Sequence, residues 1–136
     1  MRFGRAVILA VVLSIGVGAC ADSDSEDRVK VVAALHPLAW VTEQVGGNRV
    51  EVEDLTASGV DAHDTALSAG QRANLQTADI VVFLGDIGFQ PDVEHAVDDA
   101  RGVVVNVTRE LGISVPTDRP FDPHIWLDPG KMEEVV

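Results

Sequence analysis

Val29-Lys30-Val31-Val32-Ala33-Ala34-Leu35 (VKVVAAL) is a valine-rich run broken by a single lysine, and His36-Pro37-Leu38 follows it directly. A strand with one wet face alternates apolar and polar residues. A nearly continuous apolar run of this length belongs instead to a strand covered on both faces, the usual state in a parallel sheet. Pro37 suits the first turn of a helix, with Leu38, Val41 and Val45 as its apolar stripe and Gly46-Gly47 as its stop. A doubly covered strand leading into an amphipathic helix opens a β-α-β unit.

The same alternation continues outward from there. Val50 to Leu55 (VEVEDL) alternates apolar and acidic residues and predicts a strand with one wetter face. Residues 56–67 read as a loop. Ser68 with Gln71 fits a capping box, opening a helix that ends near Ala78. Ile80 to Leu84 (IVVFL) is strongly apolar and predicts a central strand. Pro91 begins another helix, with Val93, Ala96, Val97 and Ala100 on its inner stripe and Gly102 closing it, and Val103 to Val107 (VVVNV) is a fourth strand. The expected fold is therefore α/β, a parallel four-stranded sheet with flanking helices and right-handed crossovers. Such sheets bind ligands at the carboxyl ends of their strands. With neither a G-x-G-x-x-G turn nor a Walker loop in the sequence, nucleotide binding is not expected.

The N-terminus has a different character. A basic start, Met1 to Arg5, leads into the apolar run Ala6 to Val17, which is shorter than the roughly 20 residues that span a bilayer. Residues 1–19 read as a secretory signal. Val17-Gly18-Ala19-Cys20 ends it on the only cysteine of the chain, in the pattern of a bacterial lipobox, with Val17 where Leu is usual. Cys20 is then the lipidated residue and the membrane anchor, with two or more acyl chains giving stable attachment. Residues 20–28 form an acidic tether, and 29–136 the folded lobe. Without residues 1–19 the chain keeps 8 basic against 22 acidic residues, a formal charge of −14. That balance opposes binding to nucleic acid or to anionic lipid.

Four histidines are candidates for chemistry. His36 follows the first strand, His63 lies in the loop after the second, and His124 in the region after the fourth, all on the edge where α/β sheets keep their sites. His95 falls on the outer face of its helix. Histidines gathered on one edge point to a transition metal: imidazole suits zinc, copper, nickel or iron, and carboxylates extend the choice to manganese. Asp64 beside His63, and Asp122 and Asp128 beside His124, are acids that can accept the second ring N–H. On spacing alone, hydrogen-bonded structural histidines remain an open alternative.

The strand and helix at Val31-Val32-Ala33 and Pro37-Leu38, the segment Gly46 to Val52 (GGNRVEV), the loop Gly59 to Asp64 (GVDAHD), Leu75 to Asp79 (LQTAD) and above all Asp122 to Pro129 (DPHIWLDP) resemble the ZnuA/TroA-like zinc/manganese solute-binding lipoproteins of ABC importers. The resemblance runs the whole length after the leader. It implies the N-terminal lobe of a two-lobe receptor that takes zinc or manganese as its cargo and delivers it to an ABC-importer permease on the outer side of the cytoplasmic membrane. It implies His63 and His124 as two metal ligands, with Trp126 packing beneath the ligand loop. His36 occupies a place that the family does not usually use for coordination, where it lines the cleft or caps the first helix, while Asp64, Asp122 and Asp128 stay candidates for the cleft or for supporting the ligands. Trp40 is expected to pack as well.

Three departures follow from the same comparison. Ala62 stands where the family usually has proline and Thr65 where it has an aromatic residue, so a looser loop around His63 is expected. Residues 108–121 carry no histidine, although zinc members often have a His-rich loop there. The remaining two ligands belong to a second lobe, which is expected to be absent, making the chain a truncated or fragmentary receptor. A metal-assisted hydrolase and a surface lipoprotein that binds a macromolecule, in the manner of a cell adhesin, are the rival readings.

Overall fold

The computed structural model describes residues 28–56, 59–116, 118–119 and 121–135. The expected leader, Cys20 and residues 20–27 of the expected tether lie outside the described residues. Four strands, β1 (Val29–Ala33), β2 (Val50–Asp54), β3 (Ile80–Phe83) and β4 (Val103–Asn106), pair in parallel in the order β2-β1-β3-β4. This is the expected sheet, with the IVVFL run between two neighbours as its apolar character requires.

The helices are α1 (His36–Gly46), α2 (Ala69–Thr77), α3 (Pro91–Ala96), α4 (Val107–Glu110) and α5 (Pro129–Val135). From β1 the chain steps outward to β2, then returns past β1 to β3 and on to β4. Right-handed crossovers place α1 on one face of such a sheet and α2 and α3 on the other, where α2 and α3 touch. The winding reverses between β1 and β3, so the loops leaving these two strands diverge and open a crevice at their carboxyl ends.

Packing follows the apolar pattern. Val31, Val32, Ala33, Ala34 and Leu35 are almost fully buried, whereas Val29 and Lys30 are exposed at the strand's entry. Leu38, Leu55, Leu75, Val81, Leu84 and Val93 complete the centre of the core, each such side chain stabilising the fold by about 1.5–3 kcal/mol. The capping box of α2 is formed in full. Ser68 Oγ accepts from the Gln71 backbone N–H at 3.2 Å, and the Ser68 N–H donates to Gln71 Oε1 at 3.0 Å.

The structure differs from the sequence expectation in four places. Trp40 is 55% exposed instead of packed, because it lies about 200° around α1 from the buried Leu38. Val45, expected on the inner stripe, is half exposed and borders an open apolar groove with Val41, Val82, Val105 and Val135. Gly102 does not close a helix: α3 runs on as a 3-10 turn, Val97–Asp99, and Gly102 leads into β4. A Cβ there would collide with the carbonyl oxygens of Ala78 and Asp79, against which the chain passes closely as the Val103 N–H bonds Asp79 O at 2.8 Å. Val107 leaves the sheet for α4, because Asn106 Oδ1 caps that helix by accepting the Arg109 N–H at 3.2 Å. No helix among the described residues is long and apolar enough to cross a membrane.

Candidate metal centre

Two loops bring His63 and His124 together. The first, after β2, makes a 3-10 turn at Ala62–Asp64, and the second, after α4, makes one at Ile125–Leu127. The imidazole ring centres lie 5.6 Å apart, with the planes tilted by 59°. Phe89, in the loop after β3, stands edge-on to His63 at 4.3 Å and to His124 at 6.5 Å. Trp126 closes the far side, 5.1 Å from His124 and 5.2 Å from Phe89, and is partly buried. The two half-exposed imidazoles thus share one aromatic wall.

Both histidines are held by the same local device. Asp61 Oδ1 accepts the His63 backbone N–H at 3.0 Å and meets His63 Nδ1 at 2.7 Å. Asp122 Oδ1 accepts the His124 backbone N–H at 3.0 Å and meets His124 Nδ1 at 2.6 Å. Each carboxylate is held below its ordinary range, first by the backbone N–H of its histidine and then by the imidazole itself. An ionised carboxylate can only accept, so the proton of a neutral ring sits on Nδ1 and the lone pair is left on Nε2. Such a partner fixes the ring and raises its basicity toward a metal.

The remaining candidates divide. Asp122 lies against His124 Nδ1. On His63 that position is taken by Asp61, which the sequence reading passed over, and not by Asp64, whose side chain is exposed. The shared Asp-x-His pattern of Asp61-Ala62-His63 and Asp122-Pro123-His124 is the signal that would have found it. Asp128 starts α5 instead, its Oδ1 accepting the Gly130 N–H at 3.0 Å while Oδ2 pairs with Lys131 at 3.7 Å. His36 is the first residue of α1, highly exposed, with Nδ1 at 3.0 Å from Asp54 Oδ2, and the ring contacts of the His63–His124 pair do not include it. His95 is exposed, as its helical position predicts. Among the described residues no group of three or more His, Cys, Asp or Glu side chains forms a metal cage.

A doubly wound α/β lobe of this kind, with carboxylate-backed histidines on its carboxyl edge, has the architecture of one lobe of a solute-binding protein. Residues 31–136 match the family described as the periplasmic zinc-uptake complex component A, and the chain belongs to that family. It is 29% identical over 134 residues to the manganese-binding lipoprotein MntA of Bacillus subtilis, covering 93% of this chain and 44% of that protein. It is 24% identical over 143 residues to the high-affinity zinc uptake system protein ZnuA of the same organism, covering 88% of this chain and 45% of that one. The crystal structure of the Zn(II)-bound ZnuA-like domain of Streptococcus pneumoniae AdcA superposes with a TM-score of 0.66 at 26% identity, over 79% of this chain and 40% of that one. The chain therefore spans less than half the length of these relatives.

Proposed function

We propose that this lobe captures a divalent transition metal, zinc or manganese, outside the cytoplasm and presents it for import. The observation that carries the reading is the pair of Asp-backed imidazoles, His63 and His124, with ring centres 5.6 Å apart. An ion about 2.0–2.1 Å from each Nε2 at a tetrahedral angle would separate the ring centres by about 5 Å, so the observed spacing suits one shared ion. The named metals of the relatives, manganese for MntA and zinc for ZnuA, agree with this reading.

The role is capture and delivery, not catalysis. His63 and His124 supply two nitrogen donors, Asp61 and Asp122 hold them, and further protein groups complete the shell. An ABC-importer permease receives the ion, and acylated Cys20 holds the receptor to the membrane. Competitive titration of the full chain with Zn²⁺ and Mn²⁺ against a chromophoric chelator tests the site. Binding by the wild type that disappears in His63→Ala/His124→Ala supports the assignment; binding unchanged in the double variant sinks it.

A further inference from the structure

The loop carrying His63 is fastened to the sheet by a buried amide from another element. Gln90 precedes α3 and is 1% exposed. Its Nε2 lies 3.0 Å from the carbonyl oxygen of Ala34, just beyond β1, and 3.1 Å from that of Ala62, the residue before His63. It also lies 3.2 Å from Thr65 Oγ1, which itself donates to Ala62 O at 2.9 Å. Carbonyl oxygens only accept, so this network fixes which end of the amide is the nitrogen. One side chain therefore joins the end of β1, the His63 turn and the start of α3.

Among the described residues the buried Gln90 Oε1 has no hydrogen-bond partner, and the amide makes its bonds through Nε2. Phe89, the residue before it, carries the ring that packs on His63. Thr65 is itself buried, and Ala62 has no proline ring to stiffen the turn. The expected looseness of the loop is thus met by hydrogen bonds from outside it.

We propose that Gln90, acting with Thr65, is a positioning residue that sets the orientation of His63 for metal capture. The inference rests on His63 being a ligand, as proposed above. Gln90 touches no ion; it fixes the turn, and the turn aims the imidazole. The His124 loop does not use the Gln90 amide, and His124 meets this network only through the rings of His63 and Phe89.

The test uses the full chain as wild type, Gln90→Leu, Gln90→Glu and Thr65→Val, with circular dichroism to establish folding. Imidazole NMR signals of the metal-free proteins report His63 and His124 separately, and Zn²⁺ titration reports capture. In the folded variants the His63 signal shifts or broadens clearly more than that of His124, and Zn²⁺ affinity falls by roughly tenfold, the scale of losing an outer-shell partner. Gln90→Glu restores the wild-type His63 signal only where its carboxyl is protonated and can donate. If Gln90→Leu does not fold, Thr65→Val, nearly the same size, carries the test. Unaltered His63 signals, or equal disturbance of both histidines, overturn the proposal. Failure of the wild type to bind Zn²⁺ overturns the ligand reading instead, since the metal-free signals decide the positioning claim alone.

Discussion

Asp61 and Asp122 hold their histidines in the same way. A carboxylate two residues upstream reaches both the backbone N–H and the ring Nδ1 of the histidine, fixing turn and tautomer together. Asp122→Asn keeps an oxygen acceptor but loses the charge, whereas Asp122→Ala loses both. Zinc titration should therefore show the alanine variant weakened by about 10–100-fold and the asparagine variant by less. Equal losses in the two would mean that charge alone matters, and no loss in either would remove Asp122 from the site. That His63 and His124 come together could be expected from loops lying beyond the carboxyl ends of β2 and β4 and from the resemblance of their motifs to a metal-receptor family, and their ring centres lie 5.6 Å apart. Asp61 was not picked out, because adjacency in sequence favoured Asp64, and the decisive two-residue offset is a property of turn geometry. Phe89 and Gln90 were invisible for another reason. They enter from a third loop, and only the sheet order brings that loop to the His63 turn.

Elements were legible wherever their signal is local. The capping box at Ser68 and Gln71 places the start of α2 to the residue, and Ser68→Ala should cost about 1 kcal/mol in urea denaturation. A midpoint unchanged within error would show that the cap contributes nothing. Gly102 gives the opposite lesson. Read in sequence it looks like a helix stop, since glycines commonly end helices, yet its lack of a side chain is needed where the entry to β4 crosses the end of α2 and the start of β3. Gly102→Ala forces a shift of backbone against backbone and should destabilise by about 1–3 kcal/mol in the same assay. A neutral result would mean that β4 can slide outward without penalty. The fourth helix was missed because its cap, Asn106, looks like one more strand residue until its side chain is seen accepting the Arg109 N–H.

At the scale of the whole molecule, the site depends on the carboxyl ends of the strands staying together, and acidic residues hold several of these joints. Asp92, in the first turn of α3, accepts the Leu67 N–H at 3.1 Å and pairs with Arg72 of α2 at 2.9 Å. It thereby ties the end of the His63 loop and the start of α2 to α3. Its carboxyl is held below the ordinary value of 3.8, chiefly by the Leu67 N–H and next by Arg72, as Asp61 and Asp122 are by their histidines. A carboxyl lowered on folding stabilises the native state while it is ionised, and that contribution disappears as pH falls through the folded value. For this chain, with its formal charge of −12, acidification also removes repulsion among carboxylates, which opposes the loss. The anchored acids should prevail below about pH 4, because their protonation breaks hydrogen bonds whereas the other charges are dispersed over the surface. Urea midpoints measured from pH 7 down to pH 3 should therefore fall across the acid end. In Asp92→Asn the midpoint should start lower and fall less steeply, since that variant has one fewer depressed carboxyl to protonate. A variant whose acid slope matches the wild type would show that the α2–α3 joint does not depend on the charge of Asp92.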